Sequence, residues 1–175
     1  MSLLSKIVIV SGSPVKDSRL NGIMNFAVDY LEGKGADYEV LHVRDLPAED
    51  LIGGAYDSEE IVKASGKVTS ADKIIILTPV YKASFTGVLK TFLDLLPMKG
   101  LEDKTILPLA IGGTYGHLLM IDYALKPVLA SLGATHILKG VFTLDQQVQR
   151  AGDNVFELDN DAEQRLQAAL EKLLP

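Results

Sequence analysis

Residues Lys6–Gly22 read KIVIVSGSPVKDSRLNG, and the fold turns on how the two halves of this stretch meet. Ile7–Val10 is an unbroken apolar run, the pattern of a strand covered on both faces. It stops at Ser11-Gly12-Ser13-Pro14, a turn in which glycine permits a tight bend and proline fixes φ. From Leu20 the period changes. Ile23, Met24, Ala27, Tyr30 and Leu31 fall at helical spacing, and Gly33 and Gly35 end the run. A buried strand, a serine-glycine turn and an amphipathic helix make the first half of a parallel crossover unit.

The same alternation continues along the chain. Further strands are expected at Tyr38–Val43, Lys73–Leu77, Lys104–Ile111 and Thr135–Phe142. Between them lie helical patterns at Ser58–Ser70, with Asp57 or Ser58 as cap, at Thr86–Leu96, which ends before Pro97, and at Tyr115–Leu132, which ends at Gly133. A closing helix is expected over Asn160–Leu174, capped by Asp159 or Asn160. Arg44–Asp57 reads as a loose segment and Asp145–Leu158 as an excursion. Five strands alternating with helices and right-handed crossovers predict an α/β fold. Its expected form is a three-layer, doubly wound, five-stranded parallel sheet in the flavodoxin-like order 2-1-3-4-5. Residues 1–175 form one domain, with Met1–Leu3 read as an addition ahead of it. Ligands of such sheets bind beyond the carboxyl ends of the strands, so the loops after the first, third and fourth strands belong together.

Composition narrows the chemistry. The chain has no cysteine, which excludes disulfides, thiolate metal sites and a thiol nucleophile. A net charge of −6 and a pI near 5.0 argue against a nucleic-acid partner. The longest apolar stretch, His117–Ala134, contains Asp122, Lys126 and Pro127, so no membrane span is expected. No secretory signal is read at the start, and the expected location is the cytoplasm.

The loop after the first strand, SGSPVKDSR, offers the hydroxyls of Ser11, Ser13 and Ser18 beside the N-terminus of a helix, an arrangement suited to phosphate. Arg19 adds a possible charge-assisted contact. The competing reading is a serine-rich turn in which Ser18 or Asn21 is only a helix cap. The loop contains neither Gly-Lys-Ser/Thr nor G-x-G-x-x-G, and no G-x-S-x-G elbow occurs. Leu77 and Thr78 stand where a phospho-receiver would carry its aspartate. After the third strand, TPVYKASFTG presents Tyr81, Lys82 and Phe85, which border a flat ring or pack on neighbouring helices. After the fourth, IGGTYGHLL removes side chains at Gly112 and Gly113 and places Thr114 as a cap; Tyr115 and His117 are further candidates to cover a ligand. His42 and His136 are read as structural, distant from this rim. Phosphate on one loop and a flat ring between the others describe a mononucleotide, with FMN the natural candidate in a chain without cysteine.

The segments GSPVKDSR, TPVYKASFTGVLKTFLDLLP and LPLAIGGTYGHLLMIDYALKPVL resemble the NADPH-dependent FMN reductases, most of all the reductase components of bacterial alkanesulfonate monooxygenase systems. The resemblance runs from Ile7 to about Phe142. It implies an NADPH-dependent FMN reductase that passes reduced FMN to a flavin-dependent monooxygenase. It further implies that Ser11, Ser13, Ser18, Arg19 and Leu20 hold the phosphate and ribityl chain of FMN. Pro79, Val80, Tyr81 and Lys82 would line the isoalloxazine, and Gly112, Gly113 and Thr114 would close its other side. The family often carries a basic residue where Val15 stands. No catalytic side chain is named, because the cofactors carry the hydride chemistry. A quinone or azo reductase with bound FMN, and a non-enzymatic flavodoxin-type carrier, are the alternatives.

The helix after the third loop has more apolar surface than one face needs. Leu118, Ile121, Leu125, Val128, Leu129 and Leu132 form a stripe suited to the sheet, leaving Leu119, Met120, Tyr123 and Ala130 outside it. That surplus predicts a homo-oligomer, dimer or tetramer. Pro127 lacks the N–H owed to the carbonyl of Tyr123, so a π-bulge is expected there. The resemblance implies that Tyr123 lies in a π-helix at an oligomer interface and affects flavin exchange.

Overall fold

The computed structural model describes residues 5–174; Met1–Leu3 and the extreme carboxyl terminus lie outside the described residues. Strand β1 (Lys6–Ser11) is followed by helix α1 (Leu20–Gly33), β2 (Asp37–His42), α2 (Ala48–Gly53), α3 (Glu59–Thr69), β3 (Lys73–Pro79), α4 (Gly87–Leu93) and β4 (Thr105–Gly112). The sheet runs β2-β1-β3-β4-β5, as the alternation predicts, where β5 is His136–Ile137 and a further short strand, β6 (Val141–Leu144), also pairs with β4; every ladder in it is parallel.

Parity along the strands builds the three layers. Ile7, Ile9, Ile75, Leu77, Leu107 and Leu109 pack with Ile23, Ala27 and Leu31 of α1 and with Leu166 and Leu170 of the closing helix α6 (Asn160–Leu173). Val8, Val10, Ile74 and Ile76 point the other way, onto Ile61 and Val68 of α3, Leu89 and Phe92 of α4, and Leu125 and Leu129. Burying each such aliphatic side chain contributes about 1.5–3 kcal/mol relative to leaving it in water. Ser58, Thr86 and Asp159 cap α3, α4 and α6 by accepting the N–H of Ile61, Leu89 and Ala162.

Three segments differ from the sequence reading. The strand expected at Thr135–Phe142 is two, β5 (His136–Ile137) and β6 (Val141–Leu144). Ile106 pairs with Ile137 and Leu109 with Val141, so one extra residue is accommodated opposite Pro108, which has no N–H to give the ladder. Gly140 takes φ +82° at this break, and a Cβ there would lie 2.6 Å from the Pro108 carbonyl oxygen. The excursion at Asp145–Leu158 contains an antiparallel hairpin, β7 (Val148–Gly152) and β8 (Val155–Leu158). The loose Arg44–Asp57 segment contains the short helix α2.

The segment expected as one long helix changes period along its length. A 3₁₀ turn (Tyr115–His117) leads to a π-helix (Ile121–Leu125) and then to α5 (Lys126–Ser131). The Lys126 N–H reaches back to the carbonyl of Ile121, and Pro127 follows at once. These changes of period rotate the faces. Met120, expected outside the buried stripe, is buried, whereas Leu118, expected within it, is exposed. Leu119 and Tyr123 are exposed as the pattern predicts, Tyr123 at 79%. Among the described residues no helix is long and apolar enough to cross a membrane.

Candidate functional site

Strands β1, β3 and β4 end at Ser11, Pro79 and Gly112 on one edge of the sheet, and the loop after β3 touches both the loop after β1 and the end of β4. The Thr86 hydroxyl donates to the Gly12 carbonyl at 2.6 Å, fastening the first loop to the start of α4. The Thr86 N–H in turn donates to the Thr78 hydroxyl at 3.2 Å. A Cβ on Gly12 would lie 2.6 Å from the Leu89 Cβ, so glycine is required by close approach. The Val80 N–H donates to the Ile111 carbonyl at 2.8 Å, which carries the β3–β4 ladder one residue further and holds the start of the second loop beside the end of β4. A Cβ on Gly112 would lie 2.9 Å from Phe142 Cζ and 3.3 Å from Val80.

The first loop has the form of an anion cradle. Ser13 is buried; its Oγ accepts the Val15 N–H at 3.2 Å, donates to the Val15 carbonyl at 3.0 Å, and stands 3.5 Å from the Ser18 Oγ. Ser11 Oγ is buried and has no partner among the described residues. Nor do the amides of Lys16, Asp17 and Ser18 meet an acceptor there. The N-terminus of the 14-residue α1 opens into this loop, with no acidic residue in its first turn to offset the dipole. Arg19 is turned elsewhere: its Nε donates to the Val148 carbonyl at 3.1 Å. The Leu20 side chain belongs to the core.

The second loop is a tight turn. Tyr81 and Ser84 exchange backbone hydrogen bonds of 2.9 and 3.2 Å across Lys82 and Ala83, which take φ +51° and +64°. Two consecutive non-glycine residues in the left-handed region cost about 1–3 kcal/mol each, strain of the kind that collects at ligand clamps. Tyr81 and Lys82 stand exposed at the tip, and Phe85 packs between two apolar clusters. In the third loop Gly113 and Thr114 are exposed, with the Thr114 hydroxyl accepting the Gly116 N–H at 3.2 Å. The Tyr115 ring lies 6.3 Å from that of Phe142.

An orphaned serine hydroxyl and open loop amides beside a helix N-terminus suit a phosphate, and exposed Tyr81, Lys82, Gly113 and Thr114 at the neighbouring strand ends could border the ring of a mononucleotide. Among the described residues no three His, Cys, Asp or Glu side chains group as a metal site.

Sequence reasoning missed the struts. The β7–β8 hairpin leans on the first loop: Arg150 Nη1 holds both carboxylate oxygens of Asp17 at 2.7 and 2.9 Å, and the Asn21 amide donates to the Lys16 carbonyl and to Asn154 Oδ1, each at 2.6 Å. Arg150 lies over the Phe156 ring at 4.9 Å, and a Cβ on Gly22 would strike Val148 at 2.8 Å. His42 also departs from expectation. It ends β2 in register with Ser11, the last residue of β1, and that pairing places it at the rim. Its Nδ1 is buried without a partner among the described residues. Burial first, and the Arg44 charge second, hold its pKa below the ordinary histidine value. His136 lies at the opposite end of the sheet, beside Thr105.

A model of the NADPH-dependent FMN reductase family matches residues 5–149. An FMN reductase (NADPH) of Pseudomonas putida KT2440 is 43% identical over 166 residues, covering 94% of this chain and 84% of that protein. An FMN reductase (NADPH) of Escherichia coli K12 is 45% identical over 145 residues, covering 82% and 75%. The apo crystal structure of an NADH:FMN oxidoreductase superposes with a TM-score of 0.83 at 33% identity, covering 97% of this chain and 88% of that one.

Proposed function

The chain belongs to the NADPH-dependent FMN reductase family, and we propose that it reduces FMN with NADPH and releases the product to a flavin-dependent monooxygenase. The observation that supports this reading is the fastening of the first loop to the second through Thr86 and Gly12, with the second held beside the end of β4 through Val80 and Ile111. In this reading the first loop supplies the donors for the phosphate, and the second and third border the ring.

FMN held here would supply the redox chemistry of hydride transfer. The chain's own residues bind and orient. Ser11, Ser13 and Ser18, with the loop amides and the α1 dipole, take the phosphate. Pro79, Val80, Tyr81 and Lys82 form one wall for the ring, and Gly112, Gly113 and Thr114 the other. Arg19 and Leu20 serve through their backbone, since one side chain is held by the hairpin and the other lies in the core. No side chain is required to move a proton in the hydride step.

We further assign the exposed face of the π-helix to contacts between copies in a homo-oligomer, with Tyr123 governing flavin exchange. Its exposure, together with that of Leu118 and Leu119, supports this. NADPH and FMN are cytoplasmic metabolites, and the activity belongs there. Steady-state NADPH oxidation with free FMN, and separately with a quinone, as acceptor tests the reading. Turnover that saturates with free FMN is expected. Turnover with a quinone on tightly retained flavin, and none with free FMN, would make the protein a quinone or azo reductase instead.

A further inference from the structure

Arg44 follows β2 in a 3₁₀ turn (Val43–Asp45) and reaches across to the first loop. Its Nη1 donates to the carbonyls of Val15 and Ser13 at 3.3 and 3.5 Å. The side chain is only 13% exposed, with Nε 3.7 Å from Asp45 Oδ1 and without a hydrogen-bond partner among the described residues. It walls a cleft of about 360 Å³ together with Pro14, Leu51 and Val88, apolar surroundings in which a charge is poorly screened. From this geometry we propose that Arg44 is the positioning residue that makes the first loop selective for phosphorylated flavin. The proposal rests on the reading of that loop as the phosphate site.

Two arguments carry it. Peptide geometry is the first. In a trans peptide the C=O and the N–H of the next residue point in opposite directions. Drawing the Val15 carbonyl toward Arg44 therefore aims the Lys16 N–H away from Arg44, and that amide meets no acceptor among the described residues. The Ser13–Pro14 peptide has no N–H at all, so its carbonyl is a bare negative end that repels phosphate unless it is turned aside. Arg44 takes both carbonyls.

Charge is the second argument. Position 15 of the loop is valine, Asp17 is acidic and is held by Arg150, and Arg19 donates to the hairpin. Apart from exposed Lys16, the loop supplies no cation of its own to the cradle. A guanidinium beneath the loop restores positive potential there, and its effect on an anion is larger for being partly buried.

The test measures equilibrium binding of FMN and of riboflavin to cofactor-free protein by quenching of flavin fluorescence, in the native chain, in Arg44→Gln and in Arg44→Lys. The native chain is expected to prefer FMN. Arg44→Gln should weaken FMN by roughly tenfold, the size of one charge-assisted contact, and leave riboflavin unchanged. Arg44→Lys should keep part of the preference, because it retains the charge but offers a point donor in place of a fork. A variant that loses FMN and riboflavin alike, or neither, overturns the role of Arg44 while the loop keeps its own. A native chain that binds both flavins equally overturns the phosphate reading itself, and this proposal with it.

Discussion

Thr86→Val isolates the bond that fastens the first loop to the second. Valine matches threonine in shape and removes only the hydroxyl, which does two things here. It accepts the Leu89 N–H at 3.1 Å as the cap of α4, and it donates to the Gly12 carbonyl at 2.6 Å. Losing such a cap costs about 1 kcal/mol. Leaving a buried carbonyl without its donor costs about 1–3 kcal/mol more, and Thr86 is only 1% exposed, so water does not substitute. The expected loss is about 3 kcal/mol, which for a chain of this length lowers Tm by roughly 6–12 °C. Thr86→Ser keeps both bonds and loses one methyl, for about 0.8 kcal/mol. Urea unfolding of the two variants gives the comparison, and FMN binding to each reads the functional consequence. With Gly12 released, the cradle drifts from the ring slot and FMN affinity falls in the valine variant alone. Equal stability of the valine and serine variants would refute the reasoning.

Gly112→Ala places a methyl against Phe142 and Val80 and forces the second and third loops apart. It is expected to weaken FMN by roughly tenfold and to destabilise the fold by about 1–3 kcal/mol, the cost of overpacking; unchanged flavin binding would show that the ring does not lie between these loops. Burial first, and Arg44 second, hold the His42 pKa below its ordinary value of about 6.5, so the unfolded chain takes up its proton at higher pH than the folded one. Stability is therefore lost as pH falls through that value toward the lower folded pKa. In Arg44→Gln the His42 ring, followed by NMR, should titrate at higher pH than in the native chain but still below its ordinary value, since burial remains; an unmoved titration would contradict the coupling. Tyr123→Ala should leave flavin more tightly retained and slow its delivery to a free acceptor, read by flavin occupancy after gel filtration and by turnover. Unchanged occupancy and turnover would remove Tyr123 from flavin exchange.

The parallel sheet was legible because its strands are buried on both faces, so Ile7–Val10 and Lys73–Leu77 appear as plain apolar runs that no surface constraint interrupts. The π-helix was legible in part and for a different reason: Pro127 removes the donor owed to the Tyr123 carbonyl, and the wide turn observed lies just ahead of the proline, where the Lys126 N–H meets the Ile121 carbonyl. What escaped notice was mostly structure whose logic is not local. The β7–β8 hairpin is largely exposed, so it carries little apolar pattern, yet Arg150 and Asn154 within it brace the first loop. The break between β5 and β6 is dictated by Pro108 on the neighbouring strand. Lys82 and Ala83 adopt left-handed backbone without the glycine or asparagine that would have announced it. Arg44 carries no motif; its meaning lies in the two carbonyls it meets, 29 and 31 residues earlier in the chain.

A single-turnover experiment goes to the centre of the account. Cofactor-free protein is mixed with an equimolar amount of FMN, oxygen is removed, NADPH is added, and the flavin absorbance is followed. The three-loop site predicts that FMN fluorescence is quenched on mixing and that the flavin bleaches on addition of NADPH, with Gly112→Ala requiring more protein for the same effect. Flavin that is bound yet stays oxidised in the presence of NADPH would contradict the reductase assignment, and flavin that is never bound would contradict the site.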